Sequence, residues 1–104
     1  MTERERYDVM VRELVGPDLK AEGFKRLSNR FSRRHPGAWQ IIDFQANRFG
    51  SRGEVSFTIN VAVALDDLRR RDATWTERKP PSECEAHLRE RLGELIYGRD
   101  HWWD

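Results

Sequence analysis

The residues of this chain most capable of chemistry are Arg34, Trp39, Asp43, Gln45, Thr58 and Asn60, which offer a guanidinium, a flat aromatic, a carboxylate, two amides and a hydroxyl. Trp39, Asp43 and Gln45 fall at even spacing, as do Thr58 and Asn60, so extended strands would put each set on one face. With Arg30 added, such a face can stack and hold single-stranded nucleic acid. It can equally anchor a protein partner or a small ligand, or be the ordinary solvated side of an antiparallel sheet.

A second group lies near the C-terminal end. Cys84 and His87 stand three apart, with His101 further on, a spacing compatible with a metal or a nucleophile pair. Zinc sites need three or four protein ligands, and a nucleophile pair needs a third group to orient it. Neither requirement is met, so no metal, no cofactor and no catalytic residue is expected. On a helix, His87 and Arg91 would be one turn apart and could form an anion site with Asn60 or Gln45, or bond Glu83 and Glu94 on the same helix. No Gly-rich phosphate loop, nucleophile elbow or catalytic carboxylate pair occurs.

These side chains need a scaffold, and the stretch Ala38 to Leu65 supplies it. Val55, Phe57, Ile59, Val61, Val63 and Leu65 alternate with small or polar residues, the pattern of a strand with one buried face. Ala38 to Arg48 is the strand before it, and Gly50 to Gly53 is the loop. Setting Phe49 against Glu54 pairs Ala46 with Phe57, Phe44 with Ile59, and Ile42 with Val61. The opposite face then pairs Asn47 with Ser56, Gln45 with Thr58, and Asp43 with Asn60. A slip of one residue would put polar groups among the apolar ones, so the register is strongly specified.

Upstream, His35-Pro36-Gly37-Ala38 is a turn, Pro fixing one position and Gly allowing positive φ at the next. Pairing His35 with Ala38 sets Phe31 against Ile42, Arg34 against Trp39 as a cation–π contact, and Arg30 against Asp43 as an ion pair. The first strand lies within Phe24 to Arg34, with a break at Ser28-Asn29.

Glu3 to Glu22 has helical periodicity, with Tyr7, Val11, Leu14 and Leu19 near one face. Gly16-Pro17 predicts a kink or a second short helix starting at Pro17, and Gly23 a C-terminal stop. Asp66 to Lys79 is a charged loop with a short helical turn at Asp66 to Arg71, pinned by Trp75, and Asp66-Asp67 caps the strand end. A second helix is expected from Ser82, with Glu85 completing a capping box, to about Tyr97. Its apolar stripe would be Cys84, Leu88, Leu92, Leu95 and Ile96, and Gly98 its stop. Trp102 and Trp103 each carry on the order of 200 Å² of apolar surface. They pack on the domain, pack on a partner, or belong to a longer protein.

At 104 residues the chain is one domain, residues 1–104. Nineteen Lys and Arg nearly cancel 18 Asp and Glu, which argues against dominant nonspecific attraction to nucleic acid. One cysteine excludes an internal disulfide, and no apolar run approaches the roughly 20 residues of a membrane helix. The charged start lacks a signal-peptide core, so a cytoplasmic protein with no membrane partner is expected.

Leu19-Lys20, Gly23-Phe24-Lys25-Arg26, Arg30-Phe31, Trp39 to Gln45 and Phe57 to Asn60 together resemble the bacterial domain of unknown function 4304 family. His87, Arg91-Leu92-Gly93 and Trp102-Trp103 extend the resemblance over nearly the whole chain. The family implies no activity for any position. Its members usually continue past the double tryptophan.

The expectation is therefore an α+β fold: an N-terminal helix, a three-stranded antiparallel meander and a C-terminal helix. Both helices pack in one layer on the face of Phe31, Ile42, Phe44, Phe57, Ile59 and Val61. The expected function is a non-enzymatic protein-interaction module, acting on a partner or on itself through the polar face or the Trp102-Trp103 tail. The alternatives are an enzyme or small-ligand binder using Asp43, Gln45, Asn60, His87 and Arg91, and a single-stranded nucleic-acid reader using Arg30, Arg34 and Trp39.

Overall fold

The computed structural model describes residues 2–47, 55–69 and 87–103. Thr2 starts the chain's helical arm with a capping box: its hydroxyl accepts from the Glu5 amide, and Glu5 returns a bond to the Thr2 amide. Helix α1 (Glu3–Val9) runs into a π-helical stretch (Met10–Val15) and on into α2 (Gly16–Ala21). Of the kink or second short helix expected at Gly16-Pro17, the structure has the short helix, starting one residue earlier at Gly16 with Pro17 in its first turn, and widened winding makes the join. Pro17 has no amide to donate and its ring crowds the preceding turn. The Gly16 amide accordingly reaches back five residues to the Val11 carbonyl, and a Cβ at Gly16 would stand 3.1 Å from that oxygen.

The wide turn also corrects one expected core residue. Leu14 is 68% exposed. A π turn advances fewer degrees per residue than an α turn, so Val15 takes the inward position and packs on the core. Gly23 ends the arm at φ 94°, in the left-handed conformation expected of it.

The sheet has five antiparallel strands rather than three, in the order β1 (Lys25–Leu27), β2 (Arg30–His35), β3 (Ala38–Ala46), β4 (Phe57–Leu65) and β5 (Leu88–Arg91). The expected break at Ser28-Asn29 is a full hairpin turn, with Ser28 at φ 58°, so the first strand becomes two. The meander register is as expected throughout. Phe31 faces Ile42, Arg34 faces Trp39, Ile42 faces Val61, Phe44 faces Ile59 and Ala46 faces Phe57. The Asn47 amide donates to the Ser56 carbonyl at 2.7 Å. The expected Gly50–Gly53 loop lies outside the described residues.

The second correction concerns the C-terminal helix. Leu88 to Arg91 form a strand, and only Leu92–Tyr97 are helical (α4), ending at Gly98 with φ 71°. The free edge of β4 supplies the reason. Its backbone groups need partners, and extended Leu88 to Arg91 satisfy them by pairing with Val63 to Asn60. The expected cap at Ser82 and Glu85, together with Cys84 and Trp75, lies outside the described residues. Asp66–Arg69 is a short helix, α3, directly after β4.

Tyr7, Val11, Phe24, Phe31 and Phe44 form the buried core between the helical arm and the sheet, with Leu19, Ile42, Phe57 and Ile59 packed around them. Phe31 and Phe44 meet edge to face at 6.0 Å, and Tyr7 lies 5.3 Å from Phe57. Helix α4 packs against β4 and β5, at the other end of the sheet from β1. No described helix is long and apolar enough to cross a membrane.

Candidate functional site

The sheet face opposite the helical arm holds most of the chemistry-bearing residues, because alternation on β3 and β4 sends Trp39, Asp43, Gln45, Thr58 and Asn60 there. It is only partly solvated. Arg34 and Gln45 are exposed and Trp39 and Asp43 half-buried, whereas Thr58 is 0% and Asn60 4% exposed, and Ile41, Ala62 and Ala64 on the same face are buried as well. Buried polar groups call for bonds, which Thr58 and Asn60 have and the buried Trp39 Nε1 lacks among the described residues. Thr58 Oγ1 donates to the His101 carbonyl at 3.0 Å, and Asn60 Nδ2 donates to Gln45 Oε1 at 3.0 Å.

Arg34 and Trp39 face each other across β2 and β3, and the guanidinium lies 5.3 Å from the ring centroid, the expected cation–π contact. The same guanidinium forms a two-pronged bond to the Asp66 carboxylate, Nη1 to Oδ1 at 2.7 Å and Nη2 to Oδ2. Asp66 is 3% exposed. It is the structural centre of this corner, and its amide also donates to the Gly37 carbonyl at 2.9 Å. Sequence reasoning gave it only a capping role. Its place directly after a long apolar strand, in register with the Arg34 end of the sheet, is the signal that pointed to more. Arg30 lies opposite Asp43, and both line a polar hollow of about 420 Å³ with Arg4 and Gln45.

His87 and Arg91 are not one helical turn apart. They sit on an extended segment, four residues and roughly 13 Å apart along it. His87 is committed to the backbone: its Nδ1 accepts from the Leu65 amide at 2.9 Å, so its proton is on Nε2, and its own amide donates to the Val63 carbonyl. Arg91 does join the other candidates, lying directly across from Asn60. Gln45, Asn60, Arg89, Arg91 and Glu94 line a hollow of about 390 Å³. Arg91 is turned toward the tail, donating to Asp100 at 2.5 Å and lying 5.3 Å from the Trp102 ring centroid. Trp102 Nε1 donates to the same Asp100 carboxylate at 3.3 Å.

Trp103 docks on the domain. It exchanges two backbone bonds of 2.7 Å with Phe57, and the rings stack at 5.9 Å. His101 links this stack to α4, 4.7 Å from Trp103 and 5.0 Å from Tyr97. Gly93 makes the approach possible, since a Cβ there would stand 2.7 Å from the His101 Cβ. Around this junction Leu88, Leu95, Ile96 and Tyr97 are 62, 60, 58 and 52% exposed. Leu88 and Leu95 line one shallow groove with Phe24, Ile42, Val61 and Val63, and Tyr97 stands against His101 of the tail. This apolar cluster is what sequence reasoning missed, because a continuous helix would have turned the same leucines inward.

Among the described residues no three His, Cys, Asp or Glu side chains come together as metal ligands. No curated protein and no solved structure matches the chain. A family model does, over residues 15–104, from the second half of the helical arm through all five strands to the tail, and the chain belongs to the family described as Domain of unknown function (DUF4304).

Proposed function

We propose that this domain is a non-enzymatic protein-interaction module whose contact surface is the β5–α4–tail end. The observation that carries the reading is the exposed cluster of Leu88, Leu95, Ile96 and Tyr97. Large apolar side chains concentrated at one place on a small domain mark interaction surfaces, and an aromatic beside aliphatic residues is a typical anchor. Among the described residues β5 is the last strand of the sheet, and its outer backbone groups are ones that a partner strand can pair with. The ring sequence Tyr97, His101, Trp103, Phe57 supports placing α4 in the same layer as the helical arm, which leaves its leucine side outward.

The occupant this surface fits best is a second copy of the chain, because the strand edge and the apolar cluster together are self-complementary in kind. Light scattering tests it. The parent is expected at twice the monomer mass, and a Leu95→Glu/Ile96→Glu variant at the monomer mass with an unchanged circular dichroism spectrum. A monomeric parent at hundreds of micromolar would sink self-association.

A small-ligand reading has one observation in its favour, the hollow between Gln45, Asn60 and Arg91. It is the weaker reading because the groups that would greet a ligand already bond each other or the tail. The nucleic-acid reading asks Trp39 to stack a base, and Arg34 already lies over that ring while bonded to Asp66.

A further inference from the structure

Where the helical arm meets the β1–β2 hairpin, a hollow of about 750 Å³ opens between the two. Its floor is aromatic: Phe24 and Phe31 line it, 8% and 1% exposed. Its rim is cationic, formed by Arg12, Lys20, Lys25 and Arg26, and none of the residues lining it is acidic. Four positive side chains around one opening are a concentration of charge in a chain whose net charge is only +1. Two of them have partners of their own. Arg12 lies 3.2 Å from Glu13, and Arg26 Nε donates to the Ser28 carbonyl at 2.6 Å. The Lys20 and Lys25 side chains make no hydrogen bond or ion pair among the described residues, and both residues are exposed.

The backbone helps to shape this hollow. The π-helical stretch ends against it, and winding of this kind is frequent at functional sites. Gly16, at the end of that stretch, lines the hollow without a side chain. A Cβ there would reach within 3.9 Å of the Phe31 ring, so the glycine lets the arm lie close over that ring. The volume suits a small molecule, and an apolar lining with a few convergent polar groups is the usual composition of such sites.

We propose that this hollow binds a small organic carboxylate with an apolar body, its head held by Lys20 and Lys25 and its body against Pro17 and Phe24. The charge argument selects an anion, because Lys20, Lys25 and Arg26 set positive charge around the opening with no carboxylate in its lining. The apolar lining selects an apolar body, because a bare inorganic anion would leave Pro17 and the exposed edge of Phe24 wet. The lysine rim belongs to α2 and β1, at the other end of the sheet from β5, although Phe24 also lines the groove that Leu88 and Leu95 reach.

Fluorescence titration with 8-anilinonaphthalene-1-sulfonate, an anion with an aromatic body, reads occupancy, and decanoate and the neutral decanol serve as competitors. Saturable binding is expected, displaced by decanoate at least about tenfold more effectively than by decanol, and weakening several-fold as salt rises from low to high. A Lys20→Glu/Lys25→Glu variant is expected to lose at least about tenfold in affinity, while Ile96→Glu, which lines neither this hollow nor that groove, leaves it unchanged. If the charge reversal prevents folding, Lys20→Gln/Lys25→Gln with an unshifted melting curve gives the same reading. The proposal is overturned if the lysine variants bind like the parent, if decanol competes as well as decanoate, or if binding is not saturable.

Discussion

The two ends of this sheet are held by different means. At the β1–β3 end, the helical arm lays Tyr7, Val11, Val15 and Leu19 onto Phe31, Ile42 and Phe44, and stability comes from continuous apolar burial. At the β5 end, a four-residue strand, a six-residue helix and the tail are joined to β4 by backbone pairing, a short chain of ring contacts and a few polar bonds. The large apolar side chains there face outward. The packed end leaves Leu14 and Leu27 in water but turns its other large apolar side chains inward, whereas the hydrogen-bonded end leaves Leu88, Leu95, Ile96 and Tyr97 exposed in one stretch of chain.

The largest effect is expected where packing rules. Phe31→Ala removes the ring at the centre of the core, 1% exposed and in edge contact with Phe44, and should cost about 4 kcal/mol of unfolding free energy. Chemical denaturation measures it. A cost under about 1 kcal/mol would mean that the arm and sheet are not the stable half.

A smaller and more local effect is expected at the other end. Gly93→Ala places a methyl group against the His101 Cβ and amide, 2.7 and 2.8 Å away, and should cost about 2 kcal/mol by lifting the tail from β4. Near-ultraviolet circular dichroism from Trp103 on Phe57 should fall while far-ultraviolet signal stays. Loss of both signals together would show the two ends to be one cooperative unit.

The smallest effect comes from Tyr7. Its hydroxyl is buried with no hydrogen bond of full geometry, and burial pushes its pKa up to about 12, with Arg4 and a marginal contact to the Asn29 side chain opposing and the nearby Asp43 and Asp8 adding to the rise. Tyr7→Phe removes an unsatisfied buried group and should leave the protein equally stable or up to about 1 kcal/mol more stable at neutral pH. An unfolded tyrosine ionises near pH 10, below the folded value. The stability tied to the neutral hydroxyl is therefore fully present below about pH 10 and is lost as pH rises through about 12. Denaturation midpoints of parent and variant should run parallel to pH 10 and diverge above it, the parent falling faster; parallel curves throughout would show that Tyr7 is accessible to water when folded.

The register was legible because β3 and β4 each have one apolar set whose misplacement by one residue would bury Asp43 and Gln45 among phenylalanines. The turns at His35–Ala38 and the stops at Gly23 and Gly98 were legible because Pro and Gly act through their own backbone limits. Leu88 to Arg91 were not legible as a strand. Leucines at 88, 92 and 95 satisfy helical spacing, and the requirement that made the first of them extended was the unpaired edge of β4, which is a property of another segment. The same holds for Leu14, displaced outward by a π-helical stretch that Pro17 and Gly16 make favourable. The candidate polar residues were rightly assigned to one face, but the pairing of Arg34 with Asp66 joins side chains 32 positions apart.

By itself, then, the order of residues determined the α+β class, the register of the meander, the helical arm and the places where it must stop, because each rests on periodicity or on the steric limits of Gly and Pro within a few residues. Only the tertiary structure decided that the sheet has five strands, that Thr58 and Asn60 on its polar face are buried and bonded, and that Trp103 pairs with Phe57 while Leu95 and Ile96 are left in water. Those outcomes depend on which backbone edges and apolar surfaces remain unsatisfied once the local elements have formed, and that remainder is settled between segments far apart in the chain.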